Sequence, residues 1–213
     1  LKKCSNLGDN MYYGQSIDGK RVDEKIIELF PHLNKTNGFF IEAGAAEGIE
    51  DSSCKFFEDL GWDGINIEPF KETFDKLIQN RPKAINLHLA LSNKVEEASF
   101  ASTAHTFFGC GSINGPNDYL VSQLKGNKDL IVYSKVKCIT YKELPIDRPV
   151  DLFVLDVEGH ELKVIDGMGD TNMPDIFVIE YGHVGLKPLD EKVLGLGYKK
   201  VFVDSVNVFY NKK

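Results

Sequence analysis

The stretch that most constrains this chain runs from Phe39 to Glu68, FFIEAGAAEGIEDSSCKFFEDLGWDGINIE. Phe39, Phe40 and Ile41 form a short apolar run of the kind a strand buried on both faces requires. Glu42, Gly44, Ala45, Ala46 and Gly48 follow, nearly all small. A turn with so few side chains lets a ligand lie against the backbone, facing the N–H groups of the next helix. Asp51, Ser52 and Ser53 supply cap or first-turn residues for a helix with Phe56, Phe57 and Leu60 on its apolar side, and Gly61 ends it. A second strand, Gly64 to Ile67, stops at Glu68, and Pro69 turns the chain.

A carboxylate at the tip of a second strand, about 20 residues past a glycine turn, is placed to accept two hydrogen bonds from a ribose diol. Dinucleotide sites use G-x-G-x-x-G, whose close-set glycines admit a pyrophosphate. Here the pattern is Glu42-x-Gly44-x-x-x-Gly48. An acid before the turn repels a pyrophosphate and suits the ammonium group of a methionine moiety, which favours S-adenosylmethionine over NAD. An NAD-linked oxidoreductase and a non-catalytic cofactor-binding module are the alternatives. The plainest alternative is a strand–turn–helix whose glycines serve only the turn.

The rest of the chain reads as α/β. At 213 residues it suits one domain, with residues 1–37 as an N-terminal segment and helix and 38–213 as the core. A helix begins near Asp23 and Pro31 ends it; Lys71 to Asn80 is a second amphipathic helix, and Ala84 to Leu91 a third strand. Val95 to Ala101 reads as a short strand, Thr103 to Asn117 as a functional loop, Asp118 to Leu124 as a short helix, and Ile131 to Thr140 as an antiparallel or edge strand. Strand Val150 to Asp156, helix Gly159 to Met168, strand Ile176 to Glu180 and helix Leu189 to Leu196 then alternate. Tyr198 to Val203 and Val206 to Tyr210 form a closing hairpin about Asp204-Ser205.

Charge and cysteine usage exclude several classes. A net charge of -7 argues against a broad nucleic-acid grip, and no apolar stretch is long enough for a membrane span. Cys4, Cys54, Cys110 and Cys138 are scattered without a C-x-x-C pair, which speaks against zinc and for a reduced, cytoplasmic chain. Cys54 reads as a packed cysteine. The chain begins with Leu, as a processed protein or one domain of a longer polypeptide does.

A second constellation follows the apolar strand that ends at Asp156. Asp156, Glu158, His160 and Glu161 stand in one short run, with Glu180 and His183 after the next strand. In doubly wound sheets such positions face the ligand crevice. Two chemistries fit. A carboxylate (Glu158) or His160 takes the proton of a substrate hydroxyl during methyl transfer; or Asp156 and Glu180 bind a hard cation, Mg²⁺ or Mn²⁺, that lowers the pKa of that hydroxyl. Glu161 and His160 serve equally well as helix N-terminal residues. His32, His88 and His105 read as structural or surface residues.

Tyr13-Gly14-Gln15, FFIEAGAAEG, GWDGINIEP, NLHLALSN and above all LDVEGHELKVIDGM together resemble the FkbM-type family of S-adenosylmethionine-dependent methyltransferases, from about Tyr13 to His183. The resemblance implies a class I methyltransferase Rossmann-like fold: a doubly wound, mostly parallel seven-stranded sheet with a C-terminal antiparallel hairpin. It implies O-methylation of a sugar, glycan or other small hydroxylated acceptor. Carried over by position, Glu42, Gly44 and Ala45 line the methionine end, Glu68 holds the ribose, Ala90 and Leu91 flank the adenine, and Gln15 reaches in from the N-terminal segment. Asp156 and Glu158 fall where related sugar O-methyltransferases place a metal-binding acid and a general base, and Glu180 near a second metal-binding acid. Those relatives carry paired Asp residues where this chain has Glu180-Tyr181.

Overall fold

β1 (Phe39–Ala43), β2 (Asp63–Ile67), β3 (Ile85–Leu87), β4 (Leu152–Leu155), β5 (Ile176–Glu180), β6 (Tyr198–Val203) and β7 (Asn207–Lys212) form one sheet in the order β3-β2-β1-β4-β5-β7-β6. The computed structural model describes residues 12–103, 111–125, 127–170 and 172–213. β1 to β5 run parallel, and β7 is inserted antiparallel between β5 and β6. This is the doubly wound sheet with a reversed C-terminal hairpin that the resemblance implies. The strand order reverses between β1 and β4, where Ala43 pairs with Leu155, so the chain leaves both strands side by side into one crevice.

Period-two alternation divides β1 between two apolar layers. Phe39, Ile41 and Ala43 pack with Ile65, Phe153, Phe177 and the helices α5 (Glu161–Asp166) and α6 (Leu186–Gly195), which supply Val164, Ile165, Leu189 and Val193. Phe40 faces the other layer, with Val22 and Ile26 of α1 (Val22–Leu29) and Phe56 and Phe57 of α2 (Lys55–Asp59). Glu42 has the same parity as Phe40. Its carboxylate is therefore aimed under α2, where it accepts from Ser52 Oγ at 2.7 Å and the Cys54 amide at 3.1 Å.

Arg81, just beyond α3 (Lys71–Asn80), completes that buried group. Its Nε donates to Glu58 Oε2 at 2.7 Å, its Nη1 to the Gly48 carbonyl and Ser52 Oγ, and Nη1 lies 3.5 Å from Glu42 Oε2. The guanidinium also covers the Phe40 ring at 5.3 Å. One cation thus ties α2, the residues after α3 and the glycine turn to the underside of β1.

A second sheet corrects the expectation for the middle of the chain. Ala90–Leu91, Ile131–Ile139, Glu96–Thr103 and Ser112–Ile113 are its neighbouring strands, in that order. The run Ala84 to Leu91 is therefore not one strand: Ile85–Leu87 stays with β2, and the chain crosses at His88 and Leu89 into the second sheet. Ala90 packs there with Phe70, Ala98, Phe100, Val136 and Cys138, a separate apolar cluster. The long antiparallel pair Glu96–Thr103 with Ile131–Ile139 explains the alternation read in the latter.

Other boundaries shift for local reasons. The helix expected from Gly159 is shorter because Glu158 and Gly159 have φ of 56° and 100°, which no helix accommodates. α6 starts earlier than expected because Pro188 sits in its first turn, where the missing N–H costs nothing. α4 (Asp118–Gln123) is capped by the Asn117 side chain, which accepts from the Leu120 amide at 2.7 Å. Among the described residues no helix is long and apolar enough to cross a membrane. Cys54 is buried at the head of α2, its thiol pushed well up by burial, as a packed cysteine should be. Cys4, His105 and Cys110, with the rest of residues 104–110 in the loop after Thr103, lie outside the described residues.

Removing the Arg81 cation leaves Glu42 and Glu58 buried and uncompensated. Arg81→Met is expected to lower the unfolding free energy by about 3–5 kcal/mol. Urea denaturation measures this; an unchanged midpoint would contradict the role assigned to Arg81.

Candidate active site

The glycine turn is built by close approach. Gly44 has φ of 87°, and a Cβ there would lie 1.8 Å from the Asp156 carbonyl oxygen, so only glycine fits. The amides of Gly44 and Ala45 both donate to the Ile67 carbonyl, which folds the turn over the end of β2. The Ala46 amide then donates to Glu68 Oε2 at 2.9 Å, while Glu68 Oε1 accepts from the Phe70 amide and Thr73 Oγ1 at 2.8 and 2.9 Å. Burial pushes the Glu68 carboxyl up, and these three bonds pull it back toward the charged form.

An N-terminal strap closes one side of the turn. Asp23 accepts from the amides of Tyr13 and Gly14 at 2.7 and 3.1 Å, Arg21 Nη1 donates to the Gly14 carbonyl at 3.0 Å, and Gly14 bridges to Asp51. Val22 N donates to the Gln15 carbonyl. These bonds fix Gln15 on the wall of a cavity of about 650 Å³. Gly44, Ala45, Glu68, Ala90 and Leu91 line the same cavity, as do Asp156, Glu158, Glu180 and His183. Phe70 and Phe100, stacked with centroids 6.4 Å apart, also line it.

The acids meet because three elements end at one place. Asp156 follows β4, Glu180 ends β5, and Glu161 opens α5; one carboxylate oxygen of each lies within 4.8 Å of the others. Glu161 Oε1 accepts from the amides of Val157 and Gly159 at 3.0 and 3.1 Å, while Glu161 Oε2 and Glu180 Oε2 are buried with no hydrogen-bond partner. Asp156 is exposed and lines the cavity. Desolvation first, then the charges of Glu180 and Glu161, hold its carboxyl well above the usual range. Glu180 is raised as well, chiefly by burial.

Glu158 stands beside this group in a left-handed conformation that costs a non-glycine residue about 1–2 kcal/mol. Its Oε2 lies 2.8 Å from His183 Nε2 and accepts from Asn117 Nδ2 at 3.0 Å. Burial and the Asp156 charge push its carboxyl up to about 8, against the Asn117 bond. The strain therefore turns this acid toward a histidine and an amide at the cavity wall.

Two residues expected at the site are elsewhere. Glu42 is turned into the layer beneath the turn by the parity of β1 and is held by Ser52 and Arg81, so it does not line the cavity. His160 lies before α5 with Nε2 at 3.0 Å from Ser92 Oγ, and it too is absent from the cavity wall; burial lowers its pKa. Residues the sequence reading missed are Phe70, Phe100, Asn117, Tyr119 and Asn207. Phe70 had a signal in its place directly after Glu68-Pro69; the others come together only through the fold.

Comparison with known proteins places these features. A family model described as the methyltransferase FkbM domain matches residues 42–199, from the end of β1 into β6. The chain is 28% identical over 174 residues to hexuronic acid methyltransferase AglP of Haloferax volcanii, which covers 80% of this chain and 66% of that protein. It thus spans just under two thirds of that relative's length. Among solved structures it is similar to a precorrin-6y C5,15-methyltransferase from Geobacter metallireducens, with TM-score 0.49, 11% identity and coverage of 96% and 95%. It is also similar to a TehB-like SAM-dependent methyltransferase from Corynebacterium glutamicum, with TM-score 0.42, 12% identity and coverage of 87% and 86%.

Three carboxyls this close repel one another, and at neutral pH the folded chain holds them at a cost the unfolded chain does not bear. Asp156→Asn removes one carboxyl from the group and keeps the size of the side chain. In the presence of EDTA this variant is expected to unfold at a higher temperature than the unaltered chain, by roughly 2–4 °C for each kcal/mol regained. Calorimetry showing a lower unfolding temperature would contradict the repulsion.

Proposed function

We propose, from the premise that this chain belongs to the FkbM methyltransferase family, that it transfers a methyl group from S-adenosylmethionine to a hydroxyl of a sugar, glycan or other small hydroxylated acceptor. The observation that carries the reading is one cavity lined both by the Gly44 turn and Glu68 and by Asp156, Glu158 and Glu180. Its volume, about 650 Å³, lies within the range of about 300–1,000 Å³ usual for small-molecule sites. The name of the Haloferax relative supports a sugar acceptor. The NAD-linked alternative has no support once the family is known.

S-adenosylmethionine supplies an electrophilic methyl carbon on a sulfonium. Glu68 keeps lone pairs free for the ribose hydroxyls while its other contacts hold it in place, and Phe70 with Phe100 offers aromatic faces for an adenine next to Ala90 and Leu91. Gln15 closes over the turn from the strap. Glu158 takes the proton of the acceptor hydroxyl as the oxygen–carbon bond forms and the carbon–sulfur bond breaks. His183 and Asn117 orient its carboxylate.

Asp156, Glu161 and Glu180 also fit a hard divalent cation, Mg²⁺ or Mn²⁺. All three offer oxygen donors, and two of the oxygens are buried without partners. Such an ion supplies positive charge that lowers the pKa of a nearby hydroxyl.

Calorimetric titration with S-adenosylhomocysteine tests the cofactor side. Glu68→Gln is expected to weaken binding roughly 10–100-fold, the worth of a hydrogen bond to a charged group, with an unchanged far-UV spectrum. Glu158→Gln is expected to keep that affinity and lower kcat by roughly 10²–10⁴-fold. Full binding with no label transferred to any hydroxylated acceptor would leave a cofactor-binding module as the better account.

A further inference from the structure

The charges that line the cavity are nearly all of one sign. Glu50, Asp51, Glu68, Asp156, Glu158 and Glu180 contribute carboxyls to it, and no Lys or Arg is among the described residues that do. Three basic groups among the described residues beside it are already engaged. The Arg21 guanidinium donates to the carbonyls of Tyr13 and Gly14, Lys76 pairs with Glu47 at the rim, and His183 is bonded to Glu158. Residues 104–110, AHTFFGC, add no Lys or Arg to the sequence between the second sheet's strands.

An acceptor carrying a carboxylate or phosphate needs a matching cation when it leaves water, usually a guanidinium in bidentate contact. Placed against like charges without one, it is rejected. A divalent cation on Asp156, Glu161 and Glu180 would offset two of their three charges when all are ionised, so acceptors are compared with and without one. Tyr119, its ring edge-on to His183 at 6.2 Å, and Ile113 also line the cavity.

We propose that the ring carrying the reacting hydroxyl is uncharged, bearing hydroxyl groups but neither carboxylate nor phosphate. The cavity's acids would take its hydroxyls as donors, and the aromatic wall would cover its C–H face. This separates the chain's acceptor from uronic acids, the class in the Haloferax relative's name. The proposal rests on the O-methylation reading above and narrows its substrate class.

The test compares methyl glycosides in matched pairs that differ only at C6: glucoside with glucuronide, galactoside with galacturonide, mannoside with mannuronide. Label transfer from S-adenosylmethionine is followed with Mg²⁺ or Mn²⁺ and with EDTA. The neutral member of any accepted pair is expected to have at least tenfold higher kcat/KM under both conditions. Tyr119→Lys, which adds a cation to the wall by the acids, is expected to narrow that ratio severalfold. Equal or preferential transfer to the acidic members overturns the proposal and leaves the O-methylation reading standing. Transfer to no ring at all, with S-adenosylhomocysteine bound, overturns both.

Discussion

The contact between the backbone of Gly44 and the Asp156 carbonyl governs the arrangement of the whole crevice. It arises because β1 and β4 are parallel neighbours at the point where the strand order reverses, with Ala43 beside Leu155. With no Cβ at Gly44, the chain turns back over β2 within two residues and delivers the Ala46 amide to Glu68. On the other side of the same contact, the Asp156 side chain starts the acidic group. The glycine turn over Glu68 and the acidic group are thus two consequences of one close approach. Neither could be moved without disturbing the other.

The raised carboxyls are unfavourable to the folded chain at neutral pH, and the fold absorbs that cost in two apolar layers. Phe153, Phe177, Ile179 and the α5 and α6 side chains lie on one face of the central strands, and Val154, Val178 and Phe209 on the other. Strands buried on both faces hold Asp156 and Glu180 together against their repulsion. Glu158 adds a strained backbone to the same small volume. Crowded charge and strain at one place are what a site for proton and charge handling is expected to show.

Much of this could be read before the fold was known, and the misses have physical causes. Short apolar runs followed by small residues or acids revealed the parallel strands and the crevice, because both signals are local. Glu42 was misplaced although its parity with Phe40 was visible: a motif-based reading put it with the ligand, whereas the pleat put it under α2. His160 was misplaced because its partner, Ser92, is 68 residues away. The split of INLHLAL between two sheets depends on the Phe70–Phe100 cluster, whose members meet only in three dimensions. Glu161 was read as a helix N-terminal residue or a site acid, and it is placed for both: one oxygen holds two turn amides, and the other is left facing the acids.

The central claim is that a nucleoside lies across the tips of β1 and β2 with its sulfur turned to the acids after β4. A crystal structure with S-adenosylhomocysteine measures this directly. The account predicts ribose hydroxyls on Glu68, the adenine among Phe70, Ala90, Leu91 and Phe100, and the sulfur facing Asp156 and Glu158. An adenine seated against Glu158 and Glu180, or a ligand bound outside this crevice, would contradict it.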